Sequence, residues 1–345
     1  MKQYLDDLET RISPETEEAY YNDWVAFLEG RFTGDIFTPA RRVKAPPRIE
    51  WPTLTVRRSV GSGKDMSLWN FAACSGALAG NSVMNIRANY GCGIMPSLFG
   101  CKLFESTDEN TSSQTLPLEG GLLDVKKLIS NGIPDLDAGL GGKVLEAGAN
   151  FVELMQDYPK IRKYVHIYHP DLQGPFDACE MMLGCEMLLL LLDDPALAKD
   201  FLSLMTDTYI AFMKKWMGIV NAGGEYSAHW GFMMKGQVML RNDSCMNLSP
   251  ELYGEFAEPC DRRIIQTFGG GGIHFCGRGD HYIEQACAIP GVTCIQMAQP
   301  WCNDLEKIYR NTVDKGIKLL GLHYETAETS IKNGRSLHSN VQCSR

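Results

Sequence analysis

A histidine and a cysteine separated by one residue are the strongest candidates for chemistry in this chain. His274 and Cys276 lie in the glycine-rich stretch GGGGIHFCGRGD, residues 269–280. On a β-strand, residues i and i+2 point to the same face, so this imidazole and this thiol would lie side by side. A histidine nitrogen and a cysteine thiolate make up two thirds of a typical zinc ligand set, so the motif predicts Zn²⁺ binding.

A zinc site needs at least a third protein ligand, and the sequence offers three candidates. Cys343 lies in the C-terminal tail and could fold back over the strand ends. Cys302 follows a predicted strand at residues 292–298, and His323 comes directly after another at residues 317–322. We expect Cys343 to complete the site, with Cys302 and His323 as alternatives.

The elements around the motif alternate between strands and helices. The C-terminal strands are predicted at residues 236–241, 273–276, 292–298 and 317–322. The helices between them begin at capping signals. Ser249 is followed by Pro250, and Asn303 is followed three residues later by Glu306, the spacing of a capping box. Consecutive βα units of this kind require a parallel sheet with right-handed crossovers, and both a barrel and an open doubly wound sheet fit the pattern.

The N-terminal half is less regular. Residues 1–60 are predicted to form a peripheral arm, helical and extended, and residues 61–345 a single α/β domain, the candidate (β/α)8 barrel. A strand is predicted at residues 164–169, a helix at residues 176–192, and a longer helix from Pro195 to about residue 220, stopped by the glycine pair that follows.

The composition and charge of the chain limit the classes of protein to which it can belong. The chain has 345 residues, 44% of them hydrophobic and 22% charged, as in an ordinary globular protein. Twelve cysteines without a recognisable signal peptide indicate a reducing compartment, so we expect a cytoplasmic protein. The longest apolar run, MLLLLL, is too short to span a membrane. A net charge of −9 and the lack of a basic stripe argue against a nucleic-acid partner. Monomer and homodimer both remain open.

Three segments resemble the uroporphyrinogen decarboxylase superfamily. QGPFD at residues 173–177, followed by a Leu- and Met-rich helix, is similar to its GPFTLA segment. Residues 242–264, NDSCMNLSPELYGEFAEPCDRRI, are similar to its segment around SPE. IHFCG at residues 273–277 is similar to the H-x-C-G of its methyltransferase branch, typified by the methylcobalamin:coenzyme M methyltransferases. The resemblance covers residues 160–322 and implies an α/β fold, a (β/α)8 TIM barrel with an N-terminal extension.

The activity of the family's namesake does not fit this chain. True decarboxylases carry an N-terminal arginine motif that binds the porphyrinogen carboxylates, and neither arginine pair here, at residues 41–42 or 57–58, has its context. The family's tyrosine after GPFT corresponds here to Met181. Uroporphyrinogen is therefore excluded as the substrate.

The methyltransferase branch implies a zinc site matching His274 and Cys276. Its last zinc ligand is a cysteine after the final strand, where this chain reads GLHYE, so either His323 or Cys343 substitutes for it or the site is incomplete. The implied reaction moves a methyl group between a methylcorrinoid, carried by a partner protein, and a thiol or pterin. The alternatives are a metal-free decarboxylase or lyase acting on a small carboxylated compound, and a non-catalytic barrel that binds a small molecule.

Five further polar residues are candidates for this site. Asp243 matches an acidic family position at the barrel mouth and would orient the substrate. Asp171 and Gln173 follow the strand at residues 164–169 and could position substrate or cofactor, or simply cap a loop. Arg278 could anchor a substrate carboxylate or phosphate, although a surface ion pair would explain it equally well. Gln296 shares a strand face with Cys294 and either contacts the cofactor or fills the interior.

Overall fold

The computed structural model describes residues 1–52, 63–104 and 114–344. Its strands, numbered in chain order, are β1 Ile36–Phe37, β2 Asn85–Ile86, β3 Leu103–Phe104, β4 Gln114–Thr115, β5 His166–Ile167, β6 Tyr226–His229, β7 Phe232–Lys235, β8 Val238–Arg241, β9 Gly271–Phe275, β10 Val292–Met297, β11 Lys318–His323 and β12 Val341–Ser344.

The helices are more extensive than the strands. They are α1 Lys2–Arg11, α2 Pro14–Leu28, α3 Gly63–Ala77, α4 Ile94–Leu98, α5 Leu122–Asn131, α6 Gly141–Met155, α7 Pro159–Tyr164, α8 Pro175–Leu183, α9 Glu186–Asp193, α10 Pro195–Val220, α11 Pro250–Leu252, α12 Glu258–Thr267, α13 Ile283–Ala288, α14 Leu305–Asn311 and α15 Tyr324–Lys332. A π-helical turn, Tyr253–Ala257, joins α11 to α12. None of the helices in the described ranges is long and apolar enough to cross a bilayer.

The largest sheet has six strands in the order β1-β12-β11-β10-β9-β8, and every pairing in it is parallel. Parallel neighbours need crossover connections, and helices α11 to α15 supply them between β8 and β12. The alternation of strands and helices predicted for the C-terminal third is therefore confirmed.

A second parallel pair, β2 with β5, lies on the β8 side of this sheet. The main-chain N–H of Met239 donates to His169 Nε2 over 2.9 Å, and that of Gly174 donates to the carbonyl of Arg241 over 2.8 Å. These contacts hold the segment after β5 along β8. The described residues show no strand ladder between the two sheets. The architecture is thus an α/β fold consistent with a barrel.

The two faces of the large sheet belong to different apolar clusters. On β8 and β9, Leu240, Ile273 and Phe275 pack in the larger core, which also contains the helices. Met239 on β8 and Cys294 on β10 pack in a smaller cluster on the opposite face. Because strand residues alternate between faces, His274 points to the same side as Met239 and Cys294.

Residues 20–37 of the N-terminal segment pack into this inner cluster and are therefore not peripheral. Trp24, Phe27 and Phe37 pack there, and the rings of Phe27 and Phe37 stack with centroids 4.5 Å apart. Strand β1 pairs with β12 and so joins the beginning of the chain to its end. The predicted domain boundary at residue 60 lies outside the described residues.

Several local predictions need correction. Helix α7 extends to Tyr164, so the strand predicted at residues 164–169 shortens to β5. The single helix predicted at residues 176–192 divides into α8 and α9, because Gly184 takes a left-handed φ of 62°. Helix α10 runs from Pro195 to Val220 as predicted, but the residue that stops it is Asn221, whose φ is 51°, and not the glycine pair that follows. Asp304, not Asn303, caps α14.

Candidate metal centre

The main chain brings three potential metal ligands together at the carboxyl end of β9. Asp243 follows β8, His274 lies near the end of β9, and Cys276 comes directly after that strand. One ligand atom from each of the three lies within 4.8 Å of the others. His274 is buried, whereas Asp243 and Cys276 are half-buried, so the group is open on one side.

Direct contacts link the members of this group. His274 Nε2 is 3.3 Å from Asp243 Oδ1 and 3.5 Å from Cys276 Sγ. The main-chain N–H of Cys276 donates to the same Asp243 oxygen over 2.8 Å, which fixes the carboxylate beside the strand end. One sulfur, one nitrogen and one oxygen donor therefore converge, a set that suits Zn²⁺ with one coordination position left for a further ligand.

The tautomer of His274 is set by Gln296, its register partner on β10. Nδ1–H of the imidazole donates to the Gln296 amide oxygen. Nε2 therefore faces Asp243 and Cys276, from where it would ligate a metal in its unprotonated form. The Trp230 ring packs edge-on against the imidazole, with centroids 4.7 Å apart. The ring of His274 is thus held in position before any metal binds.

The two other donors have opposite pKa shifts. Burial, together with the negative charge of Asp243, raises the pKa of the Cys276 thiol to about 12, so the thiol is protonated at neutral pH without a metal. Burial alone would raise the pKa of Asp243, but hydrogen bonds from His274 and Cys276 outweigh it and lower the pKa, which keeps the carboxylate charged. Metal binding here would release the cysteine proton.

Side chains from the neighbouring loop fix the residues after Cys276. The main-chain N–H of Gly277 donates to Gln299 Oε1 over 2.6 Å. Asn303, predicted as a helix cap, instead accepts from the N–H groups of Gly279 and Asp280 at 2.8 and 3.0 Å. The loop that follows Cys276 is therefore held in place by the side-chain amides of Gln299 and Asn303.

The structure does not bring Cys343 to this group, which corrects the predicted ligand set. Cys343 lies on β12 and is fully buried in the larger, helix-facing core. Its neighbour Gln342 accepts from the N–H of Gly321 over 2.9 Å. The tail forms a strand of the sheet, so it does not fold over the strand ends. Among the described residues, Asp243 is the third potential ligand beside His274 and Cys276.

Neither of the alternative ligands takes that position. Cys302 is exposed in the short turn after β10, and His323 is exposed at the end of β11. Arg278 forms an ion pair: its largely exposed guanidinium donates to Asp280 over 2.7 Å. The ion-pair interpretation of Arg278 is the one that the geometry favours.

Asp171 and Gln173 belong to a charged network beside the metal group, the name used from here on for Asp243, His274 and Cys276. Asp171 lies between two guanidinium groups: it pairs with Arg241 through Oδ1 and with Arg87 through Oδ2, the latter at 3.2 Å. Gln173 Nε2 donates to Asp171 Oδ1 over 3.1 Å. Arg241 is the register partner of His274, so this network directly adjoins the metal group.

Sequence reasoning missed Arg241, Arg87 and the hairpin β6–β7. Arg241 carries a usable signal, since it follows the inward-facing Met239 by two positions on the same strand. Burial, with the charge of Arg87 nearby, lowers the pKa of Arg241 to about 9, so it stays cationic at neutral pH. The hairpin tip at Trp230 has no such signal, because its position depends on packing between distant segments.

Comparison with known proteins shows a shared fold. A methyltransferase from Methanosarcina mazei has a similar structure, with a TM-score of 0.62 and 12% sequence identity. The similarity covers 94% of this chain and 92% of the other. No protein-family model matches the chain, and no curated protein matches it. At this identity, the likeness extends to the fold and to nothing finer.

Proposed function

We propose that this chain is a zinc-dependent methyltransferase with a (β/α)8 barrel of the uroporphyrinogen decarboxylase superfamily. The observation that carries the proposal is the convergence of Asp243, His274 and Cys276 at the end of one strand. The fold shared with a methyltransferase and the H-x-C-G motif support it. The methyl group would move between a corrinoid, held by a separate protein, and a thiol or pterin. We further propose a cytoplasmic protein, monomeric or homodimeric.

The charge of the ligand group supports this chemistry. Asp243 as carboxylate and Cys276 as thiolate together balance a divalent ion, and neutral His274 adds no charge. Asp243 would thus replace, with the same charge, the second cysteine that the family motif contains and this chain lacks. Bound zinc would lower the pKa of a coordinated thiol and supply a nucleophile at neutral pH.

The protein's own residues would prepare the site. Gln296 holds the imidazole of His274 with Nε2 directed toward Asp243 and Cys276. The N–H of Cys276 holds Asp243, and Gln299 holds the following loop. These groups are in position without a ligand, so little ordering would accompany metal binding.

Zinc content is the first test. Protein purified without chelator, then assayed by elemental analysis, should contain about one zinc ion per chain. Cys276→Ala should lose it, whereas Cys302→Ala, a change at an exposed cysteine outside the ligand group, should keep it. Zinc-loaded protein should then transfer the methyl group of methylcobalamin to a thiol, and the change in corrinoid absorbance measures this reaction.

The opposite result would redirect the assignment. A chain that takes up no zinc even after reconstitution cannot use this mechanism. The metal-free lyase and the non-catalytic barrel would then be the remaining candidates, separated by whether small carboxylated compounds are turned over or only bound.

A further inference from the structure

A cluster of cationic and aromatic side chains adjoins the metal group and has no role in holding it. Arg241 is almost fully buried, and its Nη2–H donates to His229 Nε2 over 3.0 Å. Arg87 shares the carboxylate of Asp171 with it. Two guanidinium charges against one carboxylate leave one positive charge in excess. Asp243, whose negative charge also acts on Arg241, accepts from the N–H of Cys276 and contacts His274.

Two buried donors in this cluster lack an acceptor. Arg241 Nε has no hydrogen-bond partner in the described residues, and neither has His229 Nδ1. Because His229 Nε2 accepts from Arg241, its Nδ1 must carry the hydrogen. Burial lowers the pKa of His229 well below its ordinary value, so the ring is neutral and still a donor. An unpaired buried donor destabilises the folded state, so two of them point to a missing acceptor.

Trp230 forms a wall of the same cluster at a cost in backbone strain. It occupies the two-residue tip of hairpin β6–β7 with φ of 47°, a conformation that a bulky residue rarely adopts. Its indole lies 4.7 Å from the Arg241 guanidinium on one side and 4.7 Å from the His274 ring. Strain of this kind persists where surrounding contacts impose it, commonly at binding sites.

We propose that Arg241, Arg87 and His229 bind the carboxylate group of a small-molecule substrate. Asp171 shows which chemistry fits, because the arginine pair already holds one carboxylate, with one Nη atom of each arginine against a different oxygen. Arg87 and Asp171 are slightly exposed, so the cluster is approached from their side. As an anion site the cluster stands by itself; that the anion is part of the substrate of His274 and Cys276 rests on the proposed function.

Direct binding to zinc-free protein tests the anion site. Acetate should raise the midpoint of thermal unfolding saturably, beyond chloride at equal ionic strength, because a ligand of the folded state stabilises it. It should also change tryptophan fluorescence, and Trp230→Phe should abolish that change. Arg87→Met should weaken binding about tenfold or more, as expected for a lost charged hydrogen bond. The matched control, Arg278→Met, should bind as wild type does.

The possible outcomes separate this proposal from the metal assignment. Acetate binding that survives in Cys276→Ala and fails in Arg87→Met supports the anion site whether or not zinc binds. Equal binding in wild type and Arg87→Met, or no saturable binding, would overturn it, and water would then satisfy the free donors. Methanesulfonate and inorganic phosphate serve as comparison anions, and tighter binding of either would contradict the carboxylate assignment.

Discussion

The readiness of His274 to bind a metal depends on one amide. Gln296 accepts from Nδ1–H, and no other acceptor for that hydrogen is found in the described residues. Partners of this kind in metal sites fix the ring and raise its basicity. Gln296 was predicted from sequence either to contact the cofactor or to fill the interior, and it lies on β10 beside His274 on β9, where its amide oxygen contacts Nδ1 of that ring.

Changing this amide should alter zinc affinity without removing a ligand. Gln296→Leu should weaken zinc binding by about 10–100-fold, since the ring loses its orienting acceptor. Gln296→Glu keeps an acceptor oxygen, so its zinc affinity should be close to that of wild type or higher. Competition with a chromophoric chelator measures both. Identical affinities for wild type and Gln296→Leu would show that the tautomer is fixed by something else.

How much of the site was readable from sequence depended on spacing. His274 and Cys276 are close in the chain and share a strand face, so local periodicity was enough. Asp243 could be assigned to the mouth by family likeness but not to the ligand group, because its approach depends on the register between β8 and β9. The choice of Cys343 failed because the tail of the chain pairs as a strand, a contact between distant segments.

At the scale of elements, the helix that begins at Ser249 supports the Asp243 loop. Its π-helical turn, next to Pro259, brings Tyr253 over Asp261, and the tyrosine hydroxyl donates to the carboxylate over 2.9 Å. Asn242, beside Asp243, donates to the same carboxylate. Ser249 was predicted as the cap of this helix and does accept from the main chain of its first turn. The π-turn itself had no signal in the sequence.

Asp261 should make stability depend on pH in an unusual direction. Burial raises the pKa of Asp261 from 3.8 to about 7, although hydrogen bonds from Tyr253 and Asn242 lower it. The negative charge of Glu258 adds to the rise, and Asp177 is a further acid nearby. The folded state then holds a proton that the unfolded state has lost. The contribution to stability is complete below pH 3.8 and disappears as pH rises through 7.

Replacing the carboxyl group should remove this dependence. Asp261→Asn should gain stability relative to wild type between pH 5 and pH 8, by about 1 kcal/mol or more at 1.4 kcal/mol per pKa unit. Urea unfolding of zinc-free protein at the two pH values measures the difference. Asp200→Asn, at an exposed position, is the control and should follow wild type. A wild-type-like pH profile for Asp261→Asn would refute the assignment.

At the scale of the whole molecule, the sequence predicted the βα half better than the N-terminal half. Strands β9 to β11 lie between helices with recognisable caps, so local patterns were sufficient. Strands β1, β2 and β5 contain two residues each and leave almost no periodicity to detect. Their pairing depends on partners far along the chain, such as β12 for β1. That long-range pairing is why residues 1–60 were taken for a peripheral arm.

The clearest consequence of this organisation concerns Trp24. Its side chain is fully buried in the inner cluster, and its ring centroid lies 5.1 Å from that of Phe37 on β1. Trp24 nevertheless belongs to residues 1–60, which the sequence predicted to be a peripheral arm. Trp24→Ala should therefore lower the free energy of unfolding by about 3–5 kcal/mol, as for a large side chain removed from a core. Tyr21→Ala, on the same helix but 37% exposed, should cost less than half as much. Urea unfolding compares the two, and equal small losses would mean that the N-terminal helix is an appendage after all.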